Sequence, residues 1–299
     1  MVAALALASG APAAPILPWE VNVAEVEAGR IRALAQRLSR QFALYQLHLG
    51  DVRKDELVET AAQIDRVIES LERGSSSQSI PAAWTPQLRE QLRELDGSWG
   101  PLRRIVVANP SEFMRVFQEY VPSESRRADP LALRYVDDLC QKVIDESETL
   151  LASYAAECEK TGLSICSTAS DSGYAAMVIE RATQQAIYVV ADIDRDENRK
   201  RLRESIEAYR AVRRANDANE FFAAALNPER GASAKAAGEL LASLRADWNT
   251  MEVEFAMLAA GDEANFELDS LLHTQREMVD KIERLAAALV RFASMTYGG

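Results

Sequence analysis

Histidine, cysteine, turn-forming residues and long apolar runs are all scarce in this 299-residue chain, and each shortage removes a class of protein. Two histidines and three cysteines are too few for a zinc cage or a cysteine-dense scaffold. Glycine (13) and proline (10) fall below the usual combined share of roughly 12%, which disfavours a turn-rich all-β protein. No stretch reaches the ~18 uninterrupted apolar residues of a bilayer span, so no membrane span is expected in the mature chain. Basic residues are outnumbered, 34 Lys and Arg against 46 Asp and Glu. The resulting charge of −12 repels phosphate backbones and anionic headgroups, which argues against nucleic-acid and membrane-surface partners. What is abundant is Ala, Leu, Glu and Arg, the strong helix formers. At 48% hydrophobic residues, the chain can bury the core of one large domain or two ordinary ones.

The N-terminus opens with a short apolar run, Val2-Ala3-Ala4-Leu5-Ala6-Leu7-Ala8, followed by small residues ending in Ala11-Pro12-Ala13. That pattern fits the end of a cleaved secretory leader over 1–14, although the first basic residue is Arg30. A disordered tail is the other reading. A secretory leader implies a periplasmic or secreted address, and two cysteines suit it. Cys158 and Cys166 flank a helix end and a short turn, close enough for a small disulfide in an oxidising compartment, with two unrelated thiols as the alternative. Cys140 lies on an apolar helical face and reads as a core thiol.

Helical periodicity dominates the rest. Leu88, Leu92, Leu95, Trp99, Leu102 and Val106 step by four and three, as do Leu241, Leu244, Trp248, Met251, Phe255 and Leu258. Leu57, Ala61, Ile64, Ile68 and Leu71 form another such seam, and residues 268–292 a fourth. An apolar seam every 3.5 residues on long helices is the signature of antiparallel bundles. The fold class is therefore all-α, with no period-two stretch to suggest a sheet. Breaks are expected at the Ser-rich loop 74–81, at Asn109-Pro110-Ser111 (with Ser111 capping a helix over 112–121), at 227–231 and at 261–263. The Pro-bounded stretch 122–130 reads as a linker, and Gly97, Gly100 and Pro101 should kink or interrupt their helix.

A shift of 149 residues carries Trp99 onto Trp248, Arg32 onto Arg181 and Gln36 onto Gln185. Leucine heptads superpose in any phase, but a Trp and an Arg/Gln pair at one common offset point to a tandem duplication. The expected organisation is two four-helix-type modules, 20–125 and 131–299.

The first helix carries Ala28-Gly29-Arg30-Ile31-Arg32-Ala33-Leu34-Ala35-Gln36-Arg37. This resembles the first-helix signature A-G-R-Q-R-M-L-S-Q-R of the PilJ-type domain, the N-terminal sensory module of type IV pili chemotaxis transducers, and agrees at seven of ten positions. The likeness extends over the helix, helix, polar loop and Trp-bearing helix of residues 30–107. It departs at Ala33, where the family has Met, at Val26, where it often has Asn, and at Glu27, which sets a negative charge nearby. The resemblance implies a periplasmic helical bundle with a ligand-sensing role. Related nitrate sensors bind their anion through the first Arg of this helix, one from each subunit of a dimer. By that likeness Arg32 and Arg181 would replace the symmetric pair and hold one small oxyanion, with Gln36 and Gln185 beside them. The bland reading makes these arginines ordinary salt-bridging faces, Arg32 with Glu27 or Glu25, and Arg181 with a nearby acid.

Nothing points to catalysis. His48 and His273 stand alone, and no G-x-S-x-G, P-loop or HExxH motif occurs. Asp192, Asp194, Asp196 and Glu197 lack the spacing of a calcium loop and read as a solvated helix junction; residues 216–220 read as a helix end or a polar pocket lining. No cofactor, metal or catalytic residue is assigned. The expected function is a non-enzymatic sensory or ligand-binding bundle, with a small anion, an envelope-signalling or pilus-related protein and a second copy of the chain as candidate partners. Because no signalling domain is apparent after the bundle, it would act through a partner. A structural or adaptor role in an envelope assembly, with no small ligand, is the alternative.

Overall fold

The computed structural model describes residues 16–107, 130–161, 168–264 and 266–297. The possible leader at 1–14, the helix expected over 112–121 and Cys166 lie outside them. The described residues form nine α-helices and one short 3-10 turn, with no strand beyond an isolated bridge between Ser75 and Ile80 that closes the Ser-rich loop.

Helix α1 (Pro18–Leu47) starts on Pro18, whose missing N–H costs nothing in a first turn, while Glu20 accepts from the Leu17 backbone N–H at 2.8 Å. It stops at His48, which adopts the left-handed conformation and returns its N–H to the last carbonyls. Helices α2 (Lys54–Arg73) and α3 (Pro86–Val107) bury the seams read from the sequence, with Leu57, Ile64, Leu71, Leu88, Leu95 and Trp99 at 3% exposure or less. Pro101 does not interrupt α3, which runs on to Val107. Helix α4 (Pro130–Glu159) completes a ring in which α1 packs on α2 and α4, and α3 packs on α2 and α4.

A second ring follows. It consists of α5 (Thr168–Val190), α6 (Arg195–Ala218), α8 (Ala232–Ala260) and α9 (Leu268–Tyr297), with α5 on α6 and α9, and α8 on α6 and α9. The six-residue α7 (Glu220–Ala225), capped by Asn219, and the turn Pro228–Arg230 bridge α6 to α8. Residues 216–220 are thus a helix end, as one reading had it. Gly261 ends α8 at φ 92°, a left-handed position that favours glycine. Helix α4 was expected to open the second module, yet it packs with α1 and α3. The reason is geometric: three amphipathic helices leave a groove, and the Val136, Cys140, Val143 and Leu150 stripe fills it.

The rings meet along α1 and α5, which lie side by side. Both helices are therefore covered on two faces. Helix α1 buries Ile31, Leu34, Leu38 and Phe42, and also Asn22, Glu25, Gln36 and Arg40. A helix buried on nearly every side cannot show a clean amphipathic stripe.

The backbones of the two helices come close at Gly173, where an added Cβ would lie 2.7 Å from the backbone oxygen of Gly29. At Gly29 the same addition meets only Leu151 and Arg32 side-chain atoms at ordinary contact distances of 3.9–4.0 Å. Gly173→Ala should therefore destabilise the fold by about 1–3 kcal/mol, because backbone cannot rotate out of the way. Gly29→Ala should be within about 1 kcal/mol of the parent. Urea unfolding of both variants checks this, and equal losses would contradict the crossing geometry.

Candidate functional site

The seam between α1 and α5 is polar at its centre. Partners across it are separated in sequence by 140 to 148 residues, so the helices run parallel and nearly in register. Arg37 Nε donates to Glu180 Oε1 at 3.0 Å and Arg40 Nε to Glu180 Oε2 at 2.5 Å. Arg181 Nε reaches Gln36 Oε1 at 3.4 Å, and Gln36 Nε2 donates to Gln184 Oε1.

These contacts form two related sets. A shift of 144 residues carries Gln36, Arg37 and Arg40 onto Glu180, Arg181 and Gln184. Exchanging the helices then converts Arg37–Glu180 into Arg181–Gln36, and Arg40–Glu180 into Gln184–Gln36. The same shift takes Gln41, which accepts from Thr60 at 2.8 Å, onto Gln185, which accepts from Ser205 at 2.8 Å. In this register the counterpart of Arg32 is Ala176, not Arg181. The offset of 149 superposes Trp99 and Trp248, both buried, but not the side chains that pair across α1 and α5. The Arg32–Arg181 clamp is therefore not a symmetry-related pair. Arg32 is buried with its guanidinium 5.2 Å from the centre of the Tyr174 ring, a cation–π contact. Glu27, the acid expected beside it, pairs with Arg30 at 3.7 Å.

Three of the four expected residues do converge. Gln36, Arg181 and Gln185 line one cavity of about 530 Å³ between α1, α4, α5 and α6, which is within the usual size range of small-molecule sites. Arg181 has no carboxylate within 4 Å among the described residues; its other contact is to Met177 Sδ at 3.6 Å. Its counterpart Arg37 is held by both Glu180 and, at 2.9 Å, Glu283.

The far wall is α4. Asp137 accepts from Ser39, from Gln184 Nε2 at 2.6 Å and from Tyr188 at 2.8 Å. Enclosure by protein pushes its carboxyl up from 3.8 to about 6, more than these three hydrogen bonds pull it down. The same burial, with Asp137 alongside, raises Cys140 and Tyr188, so both stay protonated. Sequence reasoning missed Asp137, Gln184 and Glu180. Glu180 alone left a signal, as an acid directly following the apolar run from Ala175 to Ile179. Asp137 beside Asp138 reads as a solvated face until α4 is docked.

Elsewhere the residues set aside are accounted for. Asp192, Asp194, Asp196 and Glu197 pair with Arg195, Arg134, Arg199 and Arg201, and no metal-binding cluster occurs among the described residues. His273 is exposed beside Glu277. Cys140 is a buried free thiol, whereas Cys158 is disulfide-bonded.

Fold and site together define an all-α protein with a polar cavity at the seam of two helical rings. Residues 24–115, less than a third of the chain, match the family described as the type IV pili methyl-accepting chemotaxis transducer N-terminal domain, PilJ. The resemblance carried by residues 28–37 thus holds across α1, α2 and α3. That family is a sensory transducer domain, not an enzyme family, and is typically extracytoplasmic. No helix among the described residues is long and apolar enough to cross a membrane. Comparisons with curated proteins and with solved structures gave no match.

Proposed function

We propose that this chain is a non-enzymatic sensory module of the periplasm whose ligand site is the cavity between α1, α4, α5 and α6. It passes its signal to a protein partner of envelope signalling or of the pilus machinery. The two helical rings are the halves of a tandem duplication, with the α1–α5 seam standing in for the interface of a homodimer. A single observation carries the ligand reading. Two related arginines sit at that seam; Arg37 is neutralised by Glu180, while Arg181 faces the neutral Gln36 and opens into the cavity. One half of the seam supplies its own carboxylate, and the other leaves that place to a ligand. Large exposed apolar residues such as Val58, Val253 and Met295 lie on different helices, which gives the adaptor reading less support.

A thermal-shift screen against nitrate, nitrite, sulfate, phosphate and small carboxylates tests the site. A ligand at a hundredfold excess over its Kd adds about 2.7 kcal/mol, which moves the midpoint by several degrees. The shift should disappear in Arg181→Gln and persist in an exposed control such as Arg93→Gln. No shift with any of these compounds, nor with their amino-substituted counterparts, would overturn the reading.

A further inference from the structure

Resting on that reading, the cavity's charges narrow the ligand class. Ion pairs are numerous among the described residues, so an unpaired charge in a concave site stands out. The cavity holds such charges of both signs, Arg181 on one wall and Asp137, with the exposed Asp138 beside it, on the other. Arg181 has no carboxylate partner within 4 Å, and Asp137, hydrogen-bonded by three neutral donors, has no Lys, Arg or His within 4 Å, each among the described residues. They do not meet each other. A relay of two amides separates them: Arg181 to Gln36, Gln36 to Gln184, Gln184 to Asp137.

A simple anion would satisfy Arg181 but leave Asp137 unmatched, and would also face Asp138 and Glu204 on the lining. The remaining cation there, Arg201, is taken up by Glu197 at 3.1 Å. A simple cation would leave Arg181 unmatched. Only a ligand bearing both charges satisfies both walls, since an enclosed charge is stabilised by an opposite partner in hydrogen-bonding range. We infer that the cavity binds a small zwitterion, an amino acid in the broad sense, with its carboxylate on Arg181 and Gln36 and its ammonium on Asp137 and Tyr188. The ammonium donates to the Asp137 carboxylate and the Tyr188 hydroxyl oxygen. The carboxylate accepts from the Arg181 guanidinium, whose fork suits two oxygens. The amide relay between the anchors sets the charge separation, so chain length within the ligand decides affinity.

Isothermal titration of the full chain at pH 7.5 tests this with glycine, γ-aminobutyrate and 6-aminohexanoate, against butyrate and butylamine as single-charge controls. At least one zwitterion should bind tenfold or more tightly than either control, and Arg181→Gln and Asp137→Asn should each weaken it tenfold or more. Arg181→Lys, which keeps the charge, should recover part of the loss and guards against misfolding of the first variant; each variant's unliganded melting curve is the folding control. Butyrate binding in this titration, or nitrate binding in the thermal-shift screen, that depends on Arg181 but not on Asp137 would overturn the zwitterion while leaving the sensory site in place. If none of these compounds binds and none of the anions of the thermal-shift screen does either, both fall.

Discussion

Glu180→Gln is expected to destabilise the protein by about 3–5 kcal/mol, the cost of breaking a buried ion pair from one side. Glu180 is fully buried, its two oxygens are shared between Arg37 and Arg40, and Arg40 is itself only 3% exposed. A glutamine can still accept one hydrogen bond, but it leaves the Arg40 guanidinium without a countercharge in a dry seam. Glu283→Gln, on the exposed side of Arg37, should cost under about 1 kcal/mol. The double variant Glu180→Leu with Arg40→Met should lose less than Glu180→Gln alone, because it removes the stranded charge along with its partner. Urea unfolding decides the matter. A loss below about 1 kcal/mol for Glu180→Gln would mean that water reaches the pair and the seam is not packed as described.

The same seam explains what could and could not be read in advance. Helices with one buried face announce themselves: every residue of the Leu88 to Val106 seam is buried, and so are Leu57, Ala61, Ile64 and Leu71. Helix α1 does not, because it serves two rings, and its Gln36, Ser39, Arg40 and Gln41 look like surface until α5 is laid beside them. The register in which α1 and α5 face each other is hidden for a related reason. Trp99 and Trp248 are conspicuous and suggest an offset of 149, whereas the side chains that pair across α1 and α5 superpose at 144. In a tandem duplication, connections of unequal length would let the offset drift, and an Arg/Gln spacing cannot reveal that drift. The sequence places the fourth helix in the second module because the preceding stretch reads as a linker. A linker in composition still permits the following helix to fold back, and the exposed groove of three amphipathic helices gives it reason to. Of the site, the chain showed Gln36, Arg181 and Gln185 but not the wall that faces them. Asp137 becomes a cavity residue only through the packing of α4 on α1.

That wall supplies the second large effect. A carboxyl held near 6 in the folded protein and near 3.8 in the unfolded chain binds more protons when folded over that interval. Stability from this group is therefore greatest below pH 4, falls as pH rises from about 4 to about 6, and stays lower above, by at most about 3 kcal/mol. Asp137→Asn keeps an acceptor for Ser39 and Gln184 but cannot ionise. The variant should match the parent at pH 4 and exceed it at pH 7.5 by up to about 3 kcal/mol. Taking the difference between the two proteins removes the contributions of Glu27 and Glu254, whose carboxyls burial also raises. A difference that is flat with pH would show that Asp137 ionises freely and that the cavity is wetter than its lining indicates. The same titration in the presence of a bound ammonium group should narrow the gap, because a countercharge lowers the cost of ionising Asp137. On the proposed ligand reading, a residue that weakens the empty protein at neutral pH and is relieved by its ligand would act as a sensor element by its energetics: occupancy would convert a stability deficit at the α1–α4–α5 junction into a tighter seam.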